Sequence, residues 1–338
     1  MKKLSATTTA LFLIISLLWA APVSAGDAGQ TAAEVLRMGG GARVAALGGA
    51  GVASARGATS LSYNPGGLGF MNRELDLSAS ALPVVANGDE RVMGWEQEID
   101  MSYYGFPESI NYGNIDYAYS LPENTGRERL FEGTLAAGLR YLDYGDQDRV
   151  ERALPNKFLV EKGSFSNSDL VLSAGYGQNW ANWSYGVTAR YIRQELDDVS
   201  GNAFSVDLGT RWNSRERPLS AGLVLANLGT DITFDEEDES LPELLRSGAA
   251  YRFYGLRLET SVDLEYQFES GEYGLMGGVE WWPFDRLALR AGYDGNIDLD
   301  DGLTAGFGYR HDEVSFDYAY LPYGDFGDVH RLGFRYQF

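Results

Sequence analysis

The side chains that could do chemistry fall into three sets. The first is imidazole, and the chain has only two histidines, His311 and His330. His330 stands two residues after Asp328, a spacing that lets a carboxylate orient a base. No nucleophile completes the set, so no catalytic residue is expected. The second set is Asp294, Asn296, Asp298 and Asp300, whose oxygens alternate as in a calcium loop. Leu299 stands where an EF-hand turn needs glycine, and no Glu follows at the twelfth position. A polar hairpin loop is the plainer reading, and no metal or cofactor is expected. The third set is larger: Arg140, Arg190, Asp207, Arg211, Arg252, Asp263, Glu265, Glu280, Arg290, Arg310, Asp317, Arg331 and Arg335. Each sits on the polar side of a two-residue alternation. Such charges need partners or water. They would either pair, holding a folded interior rigid, or line a polar path for a solute.

The elements that position this third set read as strands. In 313–338, Val314, Phe316, Tyr318 and Tyr320 alternate with Glu313, Ser315, Asp317 and Ala319. Beyond a turn, His330, Leu332, Phe334, Tyr336 and Phe338 alternate with Arg331, Gly333, Arg335 and Gln337. Successive side chains on a strand point to opposite faces. Each run therefore has one aromatic face and one polar face. A soluble sandwich would turn the aromatic face inward; an outer-membrane barrel turns it toward lipid and the polar face toward the lumen. Closing such a strand, Phe338 is the expected signal for insertion by the barrel-assembly machinery.

Composition supports the barrel. Residues 1–25 carry a charged start, an apolar core and Val23-Ser24-Ala25, the pattern of a cleaved secretory signal. No later stretch is long and apolar enough for a spanning helix, so a membrane form would have to be a barrel. Cysteine is absent, which excludes disulfides, thiol catalysis and Cys-based zinc sites. The formal net charge is −21, with 48 acidic against 27 basic residues, so nucleic acid is not an expected partner. The 42 glycines suit turns and a crowded lumen, and the 21 tyrosines and 7 tryptophans suit membrane interfaces.

Residues 26–72 do not alternate. They are rich in small residues, which let backbone approach backbone, and apolar anchors from Leu36 to Leu68 are spaced through them. The run MGGGARVAALGGAGVASARGATSLSYNPGGLGF resembles the N-terminus of the PorV/PorQ family of outer-membrane proteins, relatives of the FadL-type transporters of hydrophobic compounds. The motifs that carry the likeness are Gly39 to Arg43, Gly48-Gly49-Ala50 and Asn64-Pro65-Gly66-Gly67-Leu68. Gly66 stands where the family usually has alanine. GGVEWWPFDRLALRAGYD and the closing FDYAYLPYGDFGDVHRLGFRYQF resemble the same family. The resemblance implies a plug, 26–72, inside a fourteen-stranded barrel, 73–338, with Arg43, Gly48, Gly49, Asn64, Pro65, Gly66 and Gly67 shaping the plug.

Strand counting gives the same number. Alternating runs begin near 73, 113, 134, 168, 183, 202, 218, 245, 256, 273, 286, 302, 313 and 329, each near the length a tilted spanning strand needs. A fifteenth candidate, 97–105, is assigned to a loop because these barrels favour even counts. Long connections at 83–112, 145–167 and 228–244 face short ones at 179–182, 214–217, 254–255, 283–285 and 311–312. That asymmetry predicts periplasmic termini. The acidic run at 235–239 falls in a long loop, where it would be solvated or bind cations bridging lipopolysaccharide, and Ser240-Leu241-Pro242-Glu243 looks like the cap of a short helix. The expectation is an all-β outer-membrane barrel touching lipid and lipopolysaccharide. Its role would be a conduit for a hydrophobic ligand, a docking component for a secreted protein as in type IX secretion, or purely structural.

Overall fold

The computed structural model describes residues 32–73, 97–105, 110–121, 132–153, 158–234, 237–296, 302–322 and 327–338. The expected signal at 1–25 lies outside them. Fourteen antiparallel strands close into a barrel: β1 (Gln97–Gly105), β2 (Asn111–Ser120), β3 (Thr134–Ala153), β4 (Phe158–Trp180), β5 (Trp183–Leu196), β6 (Val199–Asn213), β7 (Leu219–Gly229), β10 (Leu244–Phe253), β11 (Leu258–Gln267), β12 (Tyr273–Phe284), β13 (Leu287–Asp294), β14 (Leu303–His311), β15 (Val314–Pro322) and β16 (Asp328–Gln337). Each pairs with its neighbour in the chain, and β1 closes on β16. Between β7 and β10, a two-stranded hairpin of β8 (Ile232–Phe234) and β9 (Glu237–Glu239) sits apart from the barrel sheet.

Alternation decides which side chains look inward. On β6, Ala203, Ser205 and Asp207 are buried while Phe204, Val206 and Leu208 are exposed. The outward face carries Ile115, Leu139, Leu172, Leu223, Leu264 and Leu289 between two aromatic zones. Trp180, Trp183, Trp281, Phe284 and Phe338 mark the end where β16 finishes. Tyr103, Phe204, Phe268 and Tyr273 mark the other. An apolar band between aromatic girdles is the lipid-facing surface of outer-membrane barrels.

The interior is occupied by residues 32–73. Short helical turns at Glu34–Leu36, Ala42–Ala45, Gly57–Thr59, Ser60–Tyr63 and Pro65–Arg73 are joined by glycine-permitted reversals. The barrel wall makes room by omitting side chains. Gly186 faces Gly209, Gly222 faces Gly248, and Gly278 faces Gly292 across adjacent strands. A Cβ at Gly186 would collide with the Pro65 carbonyl, one at Gly209 with the Asn64 side chain, and one at Gly278 with Leu47. The segment also approaches the wall through glycine: Gly48 has φ +64°, and a Cβ there would strike the Tyr293 backbone.

Three expectations need correction. Residues 97–105 are a strand, not a loop. They supply β1, whose inward Glu98, Asp100 and Ser102 answer β16 and β2. The strand expected from 73 is not among the fourteen that close the barrel; Arg73 ends a 3-10 helix, and 74–96 lie outside the described residues. The count of fourteen holds with a different member. The expected connection 145–167 is largely strand, because β3 and β4 continue to the rung Ala153↔Phe158. No helix follows Ser240. Ser240 to Glu243 lead straight into β10, with Asn227 Nδ2 donating to the Pro242 carbonyl at 2.8 Å and Phe268 N to the Glu243 carbonyl at 3.1 Å.

The glycine rungs generate a test. Gly209→Val should abolish the compact, heat-modifiable form on gels run without boiling. Overpacking costs about 1–3 kcal/mol, and more where the neighbour is rigid. Gly255→Val, where an added Cβ meets nothing within 4 Å, should leave that form intact.

Candidate functional site in the barrel interior

Arg43 stands at the centre of the interior charges. Glu259 of β11 and Glu280 of β12 are direct cross-strand partners, two carboxylates facing each other. Like charges so placed repel. Arg43 bridges them: its Nε and Nη2 donate to the two oxygens of Glu280, each at 2.9 Å, and Nη2 also reaches Glu259 at 3.1 Å. Its Nη1 donates to the Ser54 carbonyl at 2.9 Å. The fork of the guanidinium suits this bidentate grip. Around it, Arg56 and Arg252 reach Glu259 at 2.5 and 2.6 Å. Arg290 joins Glu280 at 2.8 Å to Asp317 at 2.6 Å. All these side chains are buried.

Further contacts run round the wall. Arg335 reaches Asp100 at 3.2 Å and Glu98 at 3.4 Å, and Glu98 accepts from Ala58 N at 2.9 Å. Arg246 pairs with Glu265. Asp263 accepts from Val52 N at 2.8 Å. Arg190 pairs with Asp207 and reaches the Leu61 carbonyl at 3.3 Å. Arg211 donates to the Ala55 carbonyl at 2.8 Å, and Arg140 to Ser62 Oγ at 2.7 Å. Arg331 donates to the Gly39 carbonyl and lies over the Tyr104 ring. Arg310 lies over Trp282, 5.1 Å from the ring centroid. Strands from opposite sides of the barrel thus bond one internal segment.

Asn64 explains its own motif. Its Nδ2 donates to Val52 O at 2.9 Å within the segment and to Thr210 O of β6 at 3.0 Å, while Oδ1 accepts from Gly66 N at 3.0 Å. Pro65 then turns the chain against β5. At Gly66, a Cβ would lie 2.8 Å from the Thr210 backbone, which accounts for glycine there. Gly67 packs against Ser60. Gly49 turns the chain with φ +76°.

At the end remote from Phe338 the interior changes character. Tyr112, Leu142, Val171, Ile192, Leu321 and Val329 face inward and form one apolar cluster with Val35, Leu36 and the hairpin residues Ile232 and Phe234. Met38, Ile110, Tyr144 and Leu196 border it, half-buried. Asp169 sits within this layer, fully buried, accepting from the Tyr144 hydroxyl at 3.1 Å.

The remaining candidates do not converge. His311 lies beside Asp312 in an exposed turn, 3.0 Å away. His330 Nδ1 is 2.8 Å from the Tyr318 hydroxyl on the outward surface, and Asp328 is not its partner there. Asp294 Oδ1 accepts from Asn296 N at 3.0 Å, and Asn296 Nδ2 donates to Glu265 Oε1 at 3.3 Å. Asp298 and Asp300 lie outside the described residues, among which no group of three potential ligands is placed to hold a metal. Phe338 exchanges backbone hydrogen bonds with Gln97 at 3.0 and 3.1 Å, closing the last seam.

Sequence reasoning left Arg56, Arg246, Glu98, Asp100 and Glu259 out of the interior set. The signal for Glu259 was present, since it shares the polar face of β11 with Asp263 and Glu265. Glu98 and Asp100 were missed because their strand was taken for a loop. Arg56 lies in an irregular segment where no periodicity says which way a side chain points.

No protein-family model matches the chain, and no characterised protein matches it in sequence. Solved structures do match in fold. The Ralstonia pickettii toluene transporter TbuX aligns over 89% of this chain and 98% of its own, at 13% identity and a TM-score of 0.56. A ΔS2S3 mutant of the TodX monoaromatic hydrocarbon channel aligns over 88% of this chain and 98% of its own, at 11% identity and a TM-score of 0.58. The fold is that of an outer-membrane β-barrel.

Arg43→Ala should lower stability by about 3–5 kcal/mol, the usual cost of stripping one partner from a buried ion network. Arg43→Lys should restore little, because an ammonium cannot hold both Glu280 oxygens in a planar fork. Thermal unfolding in a mild detergent reads both.

Proposed function

We propose that this barrel resides in the outer membrane and admits hydrophobic or amphipathic small molecules. One observation carries the proposal: the apolar layer at one end of an otherwise charged interior. Side chains facing inward gain nothing from lipid. Tyr112, Leu142, Val171 and Ile192 instead create an internal surface onto which an apolar solute could partition at ~25 cal/mol per Å². The fold shared with a toluene transporter and a monoaromatic hydrocarbon channel supports this reading, as does the PorV/PorQ-like pattern of Gly39 to Arg43 and Asn64 to Gly67. Residues 32–73 act as a plug, and a solute passes only where the plug yields. The apolar end faces outward and the Phe338 end faces the periplasm; Ala32, the first described residue, lies at the apolar end, its N–H donating to the Ser240 carbonyl at 3.1 Å. Short turns at 181–182, 285–286 and 312–313 lie at the Phe338 end, and the long β3–β4 hairpin and the connection that carries β8 and β9 lie at the other, the pattern of such barrels.

One observation favours a second role. Beyond the rungs Asn111↔Asp143 and Asn167↔Leu196, β3 and β4 pair only with each other among the described residues. This projecting hairpin would serve the docking of a secreted protein.

Cells carrying the barrel should take up radiolabelled toluene faster than cells with an empty vector, and Val171→Asp should remove the gain. Equal uptake in all three refutes transport of apolar solutes. Recovery of a secreted protein with the purified barrel, together with no uptake, would favour the docking role. Protease added to intact cells should cut within 145–167 or 228–244 and spare 179–182; the reverse pattern overturns the orientation.

A further inference from the structure

The apolar layer holds one acid that no cation answers. Elsewhere in the interior buried carboxylates have partners: Asp207 meets Arg190, Glu265 meets Arg246, and Glu280 meets Arg43 and Arg290. Asp116 faces Arg140 on the next strand, and Asp263 accepts from Val52 N. Asp169 of β4 differs. It is 0% exposed, and among the described residues no arginine, lysine or histidine lies within ion-pair distance of it. Its Oδ2 accepts from the Tyr144 hydroxyl at 3.1 Å, while Oδ1 has no hydrogen-bond partner.

In register, Leu142 of β3 stands on one side of Asp169 and Gln194 of β5 on the other. Val171 follows on the same face of β4, and Ile192 precedes Gln194 on that of β5; both are fully buried. Gly201 extends the rung to β6, where a Cβ would collide with Ile232, so β8 closes over the same place. Gln194 is the other polar neighbour of the carboxylate, and its Oε1 accepts from Ala33 N at 3.3 Å. Tyr144 and Gln194 are both neutral. They leave the charge itself uncompensated, which is costly in a low-dielectric interior. Tyr144, which touches Asp169, is half-buried at the border of the layer, so the carboxylate adjoins the rim where a solute would enter.

We propose that Asp169 makes the apolar layer a site for amphipathic cations, small apolar molecules that end in a primary ammonium group. The ammonium donates to Oδ1 in a charge-assisted hydrogen bond, and the apolar body lies against Leu142, Val171 and Ile192. A single fixed polar group in an apolar lining sets the orientation of a ligand and selects its head. A proton would also neutralise Asp169, and an alcohol would then serve as well as an amine, so the two cases differ in selectivity. The inference rests on the reading of this layer as a surface for apolar solutes and names the class it prefers.

The full-length protein in a neutral detergent, at neutral pH and constant ionic strength, is titrated with benzylamine, benzyl alcohol and benzoate, which share one ring and differ in the head. Calorimetry and the thermal midpoint are the readouts. The wild type should bind benzylamine about tenfold or more tighter than benzyl alcohol, the effect of a hydrogen bond to a charged group, with benzoate silent. Asp169→Asn should bring benzylamine down to the level of the alcohol. Leu142→Lys sets an ammonium across the rung from Asp169 and should exclude benzylamine. Adding Asp169→Asn to it should lower the midpoint further, because the new cation is then left alone. The wild-type comparison decides the matter if a variant does not fold. Benzyl alcohol or benzoate binding as tightly as benzylamine, a preference that survives Asp169→Asn, or benzylamine still binding Leu142→Lys overturns the proposal. Toluene uptake by cells, with no preference for the amine in detergent, overturns the site and leaves transport standing; amine binding through Asp169 without toluene uptake does the reverse.

Discussion

The structure depends on a charge that cannot stay inside the barrel alone. Glu259 and Glu280 face each other across adjacent strands, both buried, and each has an arginine of the barrel beside it, but the guanidinium that bridges the two comes from the internal segment. Arg43 arrives from the internal segment and holds both. Arg252, Arg290 and Arg56 spread the compensation outward to Asp317. In a medium where charges are poorly solvated, breaking such a network exposes unpaired ions rather than freeing them. Barrel and segment are therefore a single electrostatic unit.

Two further constraints make that unit possible. Lipid sets the outer one: each strand must be apolar on alternate residues, with aromatic side chains at both interfaces. Backbone proximity sets the inner one. Residues 32–73 fit only because facing glycines leave the wall bare at Gly186 and Gly209, at Gly222 and Gly248, and at Gly278 and Gly292. Asn64 then joins Val52 to the β6 backbone, so hydrogen bonds hold the segment where ion pairs do not. The apolar layer needs neither device. Its side chains close over Val35 and Leu36 at the end away from Phe338, and this contrast with the charged middle is what gives the interior a direction.

Much of this was legible beforehand, and the exceptions have physical reasons. Alternation at 202–213, 256–268 and 286–294 assigned inner and outer faces correctly, because lipid outside and a crowded interior leave no mixed solution. The run at 97–105 alternates too, with Glu98, Asp100 and Ser102 inward, but an even count only says that one of fifteen candidates is superfluous, and alternation does not say whether that one is 97–105 or the run from 73. The Ser240 to Glu243 stretch carries a helix-capping pattern that β-pairing from Leu244 onward overrides. The reach of β3 and β4 past their neighbours is invisible in composition, since polar hairpin and polar loop use the same residues.

By itself the sequence determined the class of the molecule: period-two alternation over many short runs, with the charges on one side, admits a barrel in lipid and little else. It also marked the irregular, glycine-rich stretch before the barrel as something other than strand. Only the tertiary structure decided which charges meet. Strand register sets Glu259 opposite Glu280, and chain reversals at residues such as Gly48 bring Arg43 between them. A side chain's partner across a closed sheet depends on strands that can be hundreds of residues apart, and local periodicity says which face a residue takes but never whom it will face.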